Sequence, residues 1–173
     1  MYLIQESDYM GVNHDFGSTV ASESGPAPRL RRGVKALVSG SDGVLLVREH
    51  HRDGSEFWTL PGGGIHRGET PEDALRREIH EELQCEMVVG SSHSHYPYAH
   101  RSRPNLLSLY TVYDCSLLGR PSPCIEEGVD QCRWVHPDGL PVRTVPQVRT
   151  VLGQADRRSE TGALWPAANR CDG

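Results

Sequence analysis

The sequence predicts an α/β protein in which a β-sheet is layered between helices. Strand-like runs occur both before and after one strongly amphipathic helical segment, and a second helical segment follows the last run. The chain has 173 residues, the length of one domain, and its hydrophobic residues, 36% of the total, suffice for a single core. We therefore expect one sheet with helices on its faces and no second catalytic domain.

The first strands lie in residues 33–50. The runs GVKALVSG and GVLLVREH are rich in apolar and β-branched residues, and Ser-Asp-Gly at their junction is typical of a hairpin turn. A short strand is predicted at 57–60. Residues 1–28 are mixed and polar and end in SESGPAP, which predicts an N-terminal extension or a flexible arm before the domain. The domain itself is expected at 29–155, followed by a tail at 156–173.

A loop with three consecutive glycines leads into the central helix. This run, LPGGG at 60–64, should allow positive φ angles and a close approach of the backbone to a ligand. Thr70 is suited to cap the helix, Pro71 to its first position and Asp73 to the capping-box position. Apolar residues then recur every four positions and predict one stripe that packs on the sheet. These residues are Leu75, Ile79 and Leu83.

Two long strands are predicted after the central helix, at 85–100 and 105–118. Leucine alternates with polar side chains at 107–110, a pattern with the period of two that strands have. A further strand is predicted at 132–136 and a closing helix at 145–152. This order of elements agrees with the α/β class.

Three glutamates lie within one turn of the central helix. Glu78, Glu81 and Glu82 are expected to project from the exposed flank of the apolar stripe, where each neighbouring pair repels by roughly 0.2–0.5 kcal/mol. Arg77 supplies positive charge to its i,i+4 neighbours Asp73 and Glu81. A hard divalent cation such as Mg²⁺ or Mn²⁺ would satisfy the same carboxylates. The charge pattern alone leaves both interpretations open, together with an ordinary solvated helix face.

The segment from Gly63 to Cys85 resembles the signature of the Nudix hydrolase family, G-x5-E-x7-R-E-U-x-E-E-x-G-U, where U is a bulky apolar residue. The matching residues are Gly63, Glu69, Arg77, Glu78, Ile79, Glu81 and Glu82. Gln84 replaces the glycine of the pattern, and Cys85 meets the last apolar position only loosely. Because that glycine would lie just past the helix end, where a left-handed residue is common, we expect Gln84 to shift the helix exit.

The Nudix resemblance implies an α/β/α sandwich around a mixed β-sheet. It also implies hydrolysis of a pyrophosphate bond in a nucleoside diphosphate linked to another moiety. Nucleoside triphosphates, nucleotide sugars, ADP-ribose and dinucleoside polyphosphates belong to this class. The implied cofactor is Mg²⁺, with Mn²⁺ as an alternative, held by Glu78, Glu81, Glu82 and the carbonyl of Gly62.

Catalytic roles also follow from the resemblance. Glu81, in exchange with Glu78, would activate the attacking water, Arg77 would orient the carboxylates, and Glu69 would close the loop against the helix. A less favoured alternative for Glu69 is an ordinary surface acid near a helix N-terminus. In many relatives the base comes from a later loop, which makes Glu127, or the glutamate before it, a candidate unless this pair is simply solvated.

A second unusual cluster, aromatic and basic, lies at 93–103. Tyr98 is expected to stack on a base and Arg101 to contact a phosphate. Trp58 is a third candidate for substrate binding, although packing is the commoner role of a tryptophan on a short strand. The histidines fit an exposed strand edge or substrate contacts better than a transition-metal site; they are His93, His95 and His100. The basic residues expected to be solvated on the first strand are Arg31, Arg32 and Lys35.

Composition and charge limit the kinds of partner that the protein can bind. A net charge of −5 and an isoelectric point near 6.0 argue against an extended nucleic-acid interface, so the expected partner is a small-molecule nucleotide derivative. Five cysteines without C-x-x-C spacing, no export signal and no long apolar stretch predict a cytoplasmic protein without membrane contact. The oligomeric state stays open, a homodimer included. Competing hypotheses are a non-catalytic Nudix-like nucleotide-sensing or regulatory module and a purely structural protein.

Overall fold

Six β-strands and two α-helices make up the computed structural model, which describes residues 27–100 and 103–159. In chain order they are β1 (Arg29–Gly40), β2 (Gly43–His50), β3 (Glu56–Thr59), α1 (Pro71–Leu83), β4 (Met87–His100), β5 (Arg103–Leu117), β6 (Val129–Val135) and α2 (Pro146–Ser159). Short 3₁₀ helices lie at Ile125–Glu127 and Pro137–Gly139. The predicted strands and helices all occur in this order. Most of the predicted extension and tail lies outside the described residues.

The strands form one mixed sheet, as the Nudix resemblance implies. β1 runs parallel to β5 from Arg29 to Val38, and β5 is antiparallel to β4. The β1–β2 hairpin is paired only next to its turn, at Ser39 and Gly40. Beyond the turn the two strands separate, and β2 pairs with β3 on one edge and with β6 on the other. This separation opens the sheet beside β1.

The glycine-rich loop fills the edge of β1 that the hairpin leaves unpaired. The amides of Val34 and Ala36 donate to the carbonyls of Gly63 and Pro61, each at 2.9 Å, and the Ile65 amide donates to the Arg32 carbonyl at 3.1 Å. Backbone groups on the edge of a strand need such partners when they are buried. The loop is therefore held by the main chain of β1 and positioned at the N-terminal end of α1.

One helix covers each face of the sheet. The apolar stripe of α1, with Leu75, Ile79 and Leu83 fully buried, packs against side chains of β1 and β2 such as Val34 and Val47. On the opposite face, α2 contributes a second buried cluster together with residues of β1, β2 and β5. Its α2 members are Val148, Val151 and Leu152. The architecture is the expected α/β/α sandwich. None of the described helices combines the length and apolar character needed to cross a bilayer.

The alternation along β5 is present, but its polar members face inward. Ser108 is fully buried and Tyr110 is 8% exposed, whereas Leu109 is 43% exposed. The hydroxyl of Ser108 lies 2.8 Å from His100 Nε2, and the Tyr110 ring lies directly against Gly33, where an added Cβ would come within 2.4 Å of it. Hydrogen bonding and ring packing thus outweigh simple hydropathy in this strand.

The N-terminus of α1 has the predicted cap. Thr70 accepts a hydrogen bond from the Asp73 amide at 3.1 Å and donates its hydroxyl proton to the Asp73 carboxylate at 2.6 Å. Pro71 occupies the first turn, where its missing N–H has no cost. Asp73 is therefore engaged in the cap. Its predicted pair with Arg77 is not among the described contacts of Arg77, which are made to other residues.

The predicted shift of the helix exit at Gln84 is wrong. The helix ends at Leu83, and Gln84 takes the left-handed conformation itself, with φ 50° and ψ 39°, while its amide donates to the His80 carbonyl at 3.0 Å. Among the described residues it is the only non-glycine with positive φ. The chain after α1 is fixed by further bonds, such as the Ser122 amide to the Leu83 carbonyl at 2.8 Å, so the surrounding structure keeps the strained residue in place.

Replacing Gln84 by glycine is expected to stabilise the protein by about 1 kcal/mol, because glycine adopts a left-handed conformation without the Cβ clash. The free energy of unfolding from urea titration measures the effect. Gln84→Ala is the matched control: it removes the same side chain but retains Cβ, so no comparable gain is expected. Equal stability of the glycine and alanine variants would contradict the assigned strain.

Candidate active site

Arg77 joins the glycine-rich loop to the acidic face of α1. Its guanidinium donates to Glu69 through Nε at 2.7 Å and through Nη2 at 3.1 Å. Nη1 contacts both Glu78 and Glu81 at 2.9 Å, and Nη2 also donates to the carbonyl of Gly64 at 3.0 Å. A planar guanidinium can satisfy several acceptors in this way, whereas an ammonium group offers no fixed fork. Three of the four glutamates in the Nudix signature therefore share one arginine.

Glu69 connects this arginine to the loop. Its second carboxylate oxygen accepts a hydrogen bond from the His66 amide at 2.8 Å, and its side chain is 17% exposed. The hydrogen bond from Arg77, followed by that from the His66 amide, lowers the pKa of Glu69 from 4.5 to about 2. An isolated surface acid near the helix N-terminus would lack these partners.

The lowered pKa of Glu69 predicts a defined acid dependence of stability. Because the folded-state pKa lies below the unfolded value, the ion pair stabilises the protein above about pH 4.5 and is lost as the pH falls towards about 2. Glu69→Gln should therefore be less stable than the parent protein at neutral pH, and the difference should vanish at the acid end of that window. Urea titrations at a series of pH values measure it. A difference that is independent of pH would contradict the ion-pair assignment.

Glu82 is buried, which corrects the expectation that it lies on an exposed helix flank. The residue is 7% exposed, and its Oε2 accepts a hydrogen bond from the Gly62 amide at 2.8 Å. Burial raises the pKa of the Glu82 carboxyl well above its usual range, and the carboxylates of Glu49 and Glu78 act in the same direction. The ammonium group of Lys35 and the Gly62 amide oppose this shift. The fold thus keeps a carboxyl group where an unpaired negative charge is costly.

Lys35 and Glu49 are site residues that the sequence did not reveal. Lys35, expected to be solvated, is 5% exposed; its ammonium group donates to the Gly62 carbonyl and lies 3.5 Å from Glu49 Oε1. Burial disfavours the charged form of Lys35. The attraction of the Glu49 and Glu82 carboxylates is stronger than this effect and holds the pKa of Lys35 above its ordinary value. A lysine inside the apolar run of β1 was the available signal, because such a residue needs a buried partner.

The donor chemistry of the site fits a hard divalent cation. Glu78, Glu81, Glu82 and the Gly62 carbonyl supply only oxygen atoms, which Mg²⁺ and Mn²⁺ prefer. In the described residues, no three acidic, histidine or cysteine side chains converge on a single point. Arg77 contacts Glu78 and Glu81, while Glu82 is turned towards the Gly62 amide. The carboxylates therefore contact the Arg77 guanidinium and the Gly62 amide.

A cleft opens on the α2 side of the site, between β1 and the separated strand β2. This central cleft has a volume of about 280 Å³ and contains Lys35 and Glu49 at its wall. Tyr98, for which stacking on a base is predicted, lines this cleft, with Tyr110 at 6.4 Å between ring centroids. A second aromatic pair, His51 and Phe57, is stacked at 4.2 Å. Further basic side chains line the cleft: Arg31, His50, Arg52, His100 and Arg103.

The other predicted contacts are dispersed. Trp58 is 5% exposed in the core, with the guanidinium groups of Arg48 and Arg133 near its ring, so its position corrects the predicted stacking on substrate. Arg101 lies outside the described residues. Glu127 is exposed in the 3₁₀ helix that follows Cys124, whose amide donates to the Glu82 carbonyl at 2.9 Å. This bond brings the 3₁₀ segment next to the end of α1.

The three histidines of β4 do not act as one cluster. His93 is buried with Nδ1 3.1 Å from Asp114 Oδ1, which corrects its expected place on an exposed strand edge. His95 is exposed and its Nδ1 lies 3.1 Å from the Thr111 hydroxyl, whereas His100 contacts Ser108. Because each imidazole has a different neighbour, they form no common metal site.

Comparison with known proteins decides the family. The model of the NUDIX domain matches residues 29–153, well over half of the chain. The chain belongs to the Nudix hydrolase family. Similar proteins include the nucleoside triphosphatase NudI of Escherichia fergusonii, which is 32% identical over 111 residues, a match covering 58% of this chain and 78% of that protein. The Nudix assignment makes the chain a pyrophosphohydrolase, which argues against the non-catalytic and the structural alternatives.

Solved structures support the same fold. The MutT Nudix hydrolase of Burkholderia pseudomallei superimposes with a TM-score of 0.64 at 24% identity, covering 73% of this chain and 98% of that one. An ADP-ribose pyrophosphatase from Streptococcus suis gives a TM-score of 0.55 at 21% identity, covering 79% of this chain and 96% of the other. At these identities the likeness concerns the Nudix fold and leaves the substrate open.

Proposed function

We propose that this Nudix hydrolase requires a divalent metal ion and cuts a phosphoanhydride in a nucleoside diphosphate linked to another moiety. The arrangement of Glu82 supports the proposal most directly. Its buried carboxyl group accepts a hydrogen bond from the Gly62 amide and lies near Glu49 and Glu78, so that a positive charge is favoured beside it. A dication at this place would favour the ionised form of the carboxyl group.

The metal ligands in this proposal are Glu78, Glu81, Glu82 and the Gly62 carbonyl. When bound, Mg²⁺ or Mn²⁺ supplies charge neutralisation for a pyrophosphate and lowers the pKa of a coordinated water. The backbone hydrogen bonds between β1 and the glycine-rich loop fix the position of Gly62. Arg77 donates to Glu78 and Glu81 through one nitrogen and so orients both carboxylates.

Other residues of the chain bind and orient the substrate. Lys35 places a positive charge beside the Gly62 carbonyl, where it can attract phosphate oxygens that enter the central cleft. The aromatic side chains of the cleft, Tyr98 among them, offer faces for a nucleobase. Glu81, the most exposed of the three glutamates proposed as metal ligands with 40% of its side chain accessible, is the first candidate for the base that receives a proton from the attacking water. Glu127, exposed in the segment next to the end of α1, is the second candidate.

The proposed substrate is a nucleoside triphosphate, a nucleotide sugar, ADP-ribose or a dinucleoside polyphosphate. Nucleoside triphosphates come first, because the relative NudI is named a nucleoside triphosphatase. The cationic lining of the cleft suits every member of this group, since all carry at least a diphosphate. We also expect the protein to act in the cytoplasm, where these compounds occur.

A panel of these compounds, incubated with Mg²⁺, Mn²⁺ or EDTA, tests the proposal. Product masses identify the bond that is cut, and reaction in ¹⁸O-labelled water identifies the phosphorus that is attacked. We expect metal-dependent release of a nucleoside monophosphate from at least one compound. Hydrolysis that is equally fast in EDTA would contradict metal dependence, and no hydrolysis of any compound with either metal would contradict the substrate class.

A further inference from the structure

A groove lined by five arginines lies next to the central cleft. It has a volume of about 1040 Å³ and runs between the start of β1, the start of β5 and the loop from Ile65 to Glu69. We call it the arginine groove after Arg29, Arg31, Arg32, Arg67 and Arg103. Such a concentration of positive charge contrasts with the net charge of −5 for the whole chain.

The five guanidinium groups have no carboxylate partners among the described residues. Other arginines of the protein do form ion pairs: Arg48 with Asp130 at 2.8 Å, and Arg77 with Glu69 at 2.7 Å. The ion pairs of the described residues include none of the five. Of the described residues in the groove wall, Glu69 is the only acidic one, and Arg77 already occupies its carboxylate. The groove therefore has a surplus of positive charge and mutual repulsion that an anion would relieve.

Two of these arginines connect the groove to the cleft. Arg31 and Arg103 line both cavities, so the two spaces meet at their side chains. The Arg31 guanidinium lies against Gly64, where an added Cβ would come within 1.8 Å of it. His100 lines the cleft beside them, and burial and then the charges of these two arginines lower its pKa. A ligand in the cleft can thus extend into the groove.

We propose that the arginine groove binds a phosphate group that the substrate carries outside the diphosphate being cut. This inference rests on the proposed function, which places the reacting diphosphate beside Glu82 and Lys35. Guanidinium groups are suited to phosphate because their paired N–H donors match two of its oxygens. The additional phosphate belongs either to the ribose, as a 2′ or 3′ monoester, or to a longer phosphate chain. Both have the same chemistry, and the two arms of the test separate them.

Binding of nucleotides that lack a cleavable anhydride tests the inference independently of turnover. In the first arm, 5′-monophosphates of the four common ribonucleosides are compared with their 2′,5′- and 3′,5′-bisphosphates by calorimetry in Mg²⁺. In the second arm, α,β-methylene diphosphates are compared with triphosphates in which both bridging oxygens, α,β and β,γ, are replaced by methylene groups. We expect the extra phosphate in one arm to tighten binding by at least about tenfold, the effect of one added charge-assisted contact. Equal affinities in both arms would overturn the inference.

Variants assign the effect to the groove. In the double variant Arg32→Gln, Arg67→Gln, the advantage of the extra phosphate should fall below about threefold, because two charges that face the groove and not the cleft are lost. The control Arg120→Gln, Arg143→Gln removes the same charge from other exposed positions and should keep the advantage. Retention of the full advantage in the groove variant would overturn the assignment, and Arg67→Glu provides a second, charge-reversing check.

The same variants separate this inference from the proposed function. If the wild-type protein hydrolyses a nucleotide in Mg²⁺ but shows no extra-phosphate advantage in either arm, the function stands and the groove assignment fails. If the binding advantage is present and depends on Arg32 and Arg67 while no compound is hydrolysed, the groove stands and the function fails. A single-stranded oligonucleotide that binds more tightly than every bisphosphate through the same arginines would overturn the small-molecule assignment.

Discussion

Replacing Glu82 by glutamine is expected to reduce turnover by at least about 10²–10³-fold. In the proposed function this carboxylate carries part of the negative charge that holds the metal ion, and a metal ion contributes several kcal/mol to the transition state. Glutamine has nearly the same shape and can still accept the Gly62 amide, so the loss would come from charge and not from packing. Steady-state rates with the cognate nucleotide in Mg²⁺ measure the effect.

The same substitution is expected to stabilise the metal-free protein at alkaline pH. Because burial raises the pKa of Glu82 above its unfolded value, the folded protein retains a proton that the unfolded chain has released, from about pH 4.5 upwards. Stability then falls as the pH rises through this window. Glutamine does not ionise, so Glu82→Gln should raise the free energy of unfolding by about 1–2 kcal/mol at about pH 9 in EDTA. The lost attraction to Lys35 reduces this gain.

Glu72→Gln is the matched control for both measurements. Its side chain is 61% exposed on the same helix and, within the described part of the chain, forms an ion pair only with Arg76 at 3.6 Å, so neither turnover nor stability should change by much. A Glu82→Gln protein with near-normal turnover would show that this glutamate is not a metal ligand. An unchanged or lower stability at alkaline pH would contradict the burial argument.

Removal of Arg77 should have the largest effect on the acidic site as a whole. Arg77→Gln leaves Glu69, Glu78 and Glu81 close together without their shared cation and leaves the Gly64 carbonyl without its donor. The side chain is 23% exposed, and breaking a partly buried ion pair of this kind costs about 2–4 kcal/mol. We expect this loss in urea titrations, together with at least about tenfold lower turnover from misoriented carboxylates.

Arg77→Lys separates charge from geometry. Lysine retains the positive charge but cannot donate to four groups in fixed directions, so it should recover less than half of the lost stability. Arg76→Gln provides the neighbouring control: this arginine is 44% exposed and should contribute less than about 0.5 kcal/mol. If lysine restored both stability and turnover, Arg77 would act as a simple counter-charge and the orienting role would be wrong.

The parts of the fold that depend on neighbours in sequence were predictable. Thr70 and Pro71 mark the start of α1 through local chemistry, and the contact between Arg77 and Glu81 follows from helical spacing. The pair of Arg77 with Asp73 has the same spacing and was predicted as well. It does not form because the cap hydroxyl of Thr70 engages Asp73 and Glu69 offers Arg77 two carboxylate oxygens.

The parts that depend on the tertiary structure were not predictable from local pattern. Lys35 and Glu49 are 14 residues apart on different strands, and they meet only because β1 and β2 separate after the hairpin. The burial of Glu82 likewise requires the glycine-rich loop to pack over the helix flank. Helical spacing predicts the direction of this side chain, but not which segment covers it.

The hydrogen bonds between β1 and the glycine-rich loop have a consequence for affinity. Ordering the backbone of one residue costs roughly 1–2 kcal/mol in conformational entropy. In this protein the main chain from Pro61 to Ile65 is already aligned along β1 by three hydrogen bonds before any ligand arrives. The site is thus preorganised, and association of a nucleotide does not include the entropic cost of immobilising that stretch of chain.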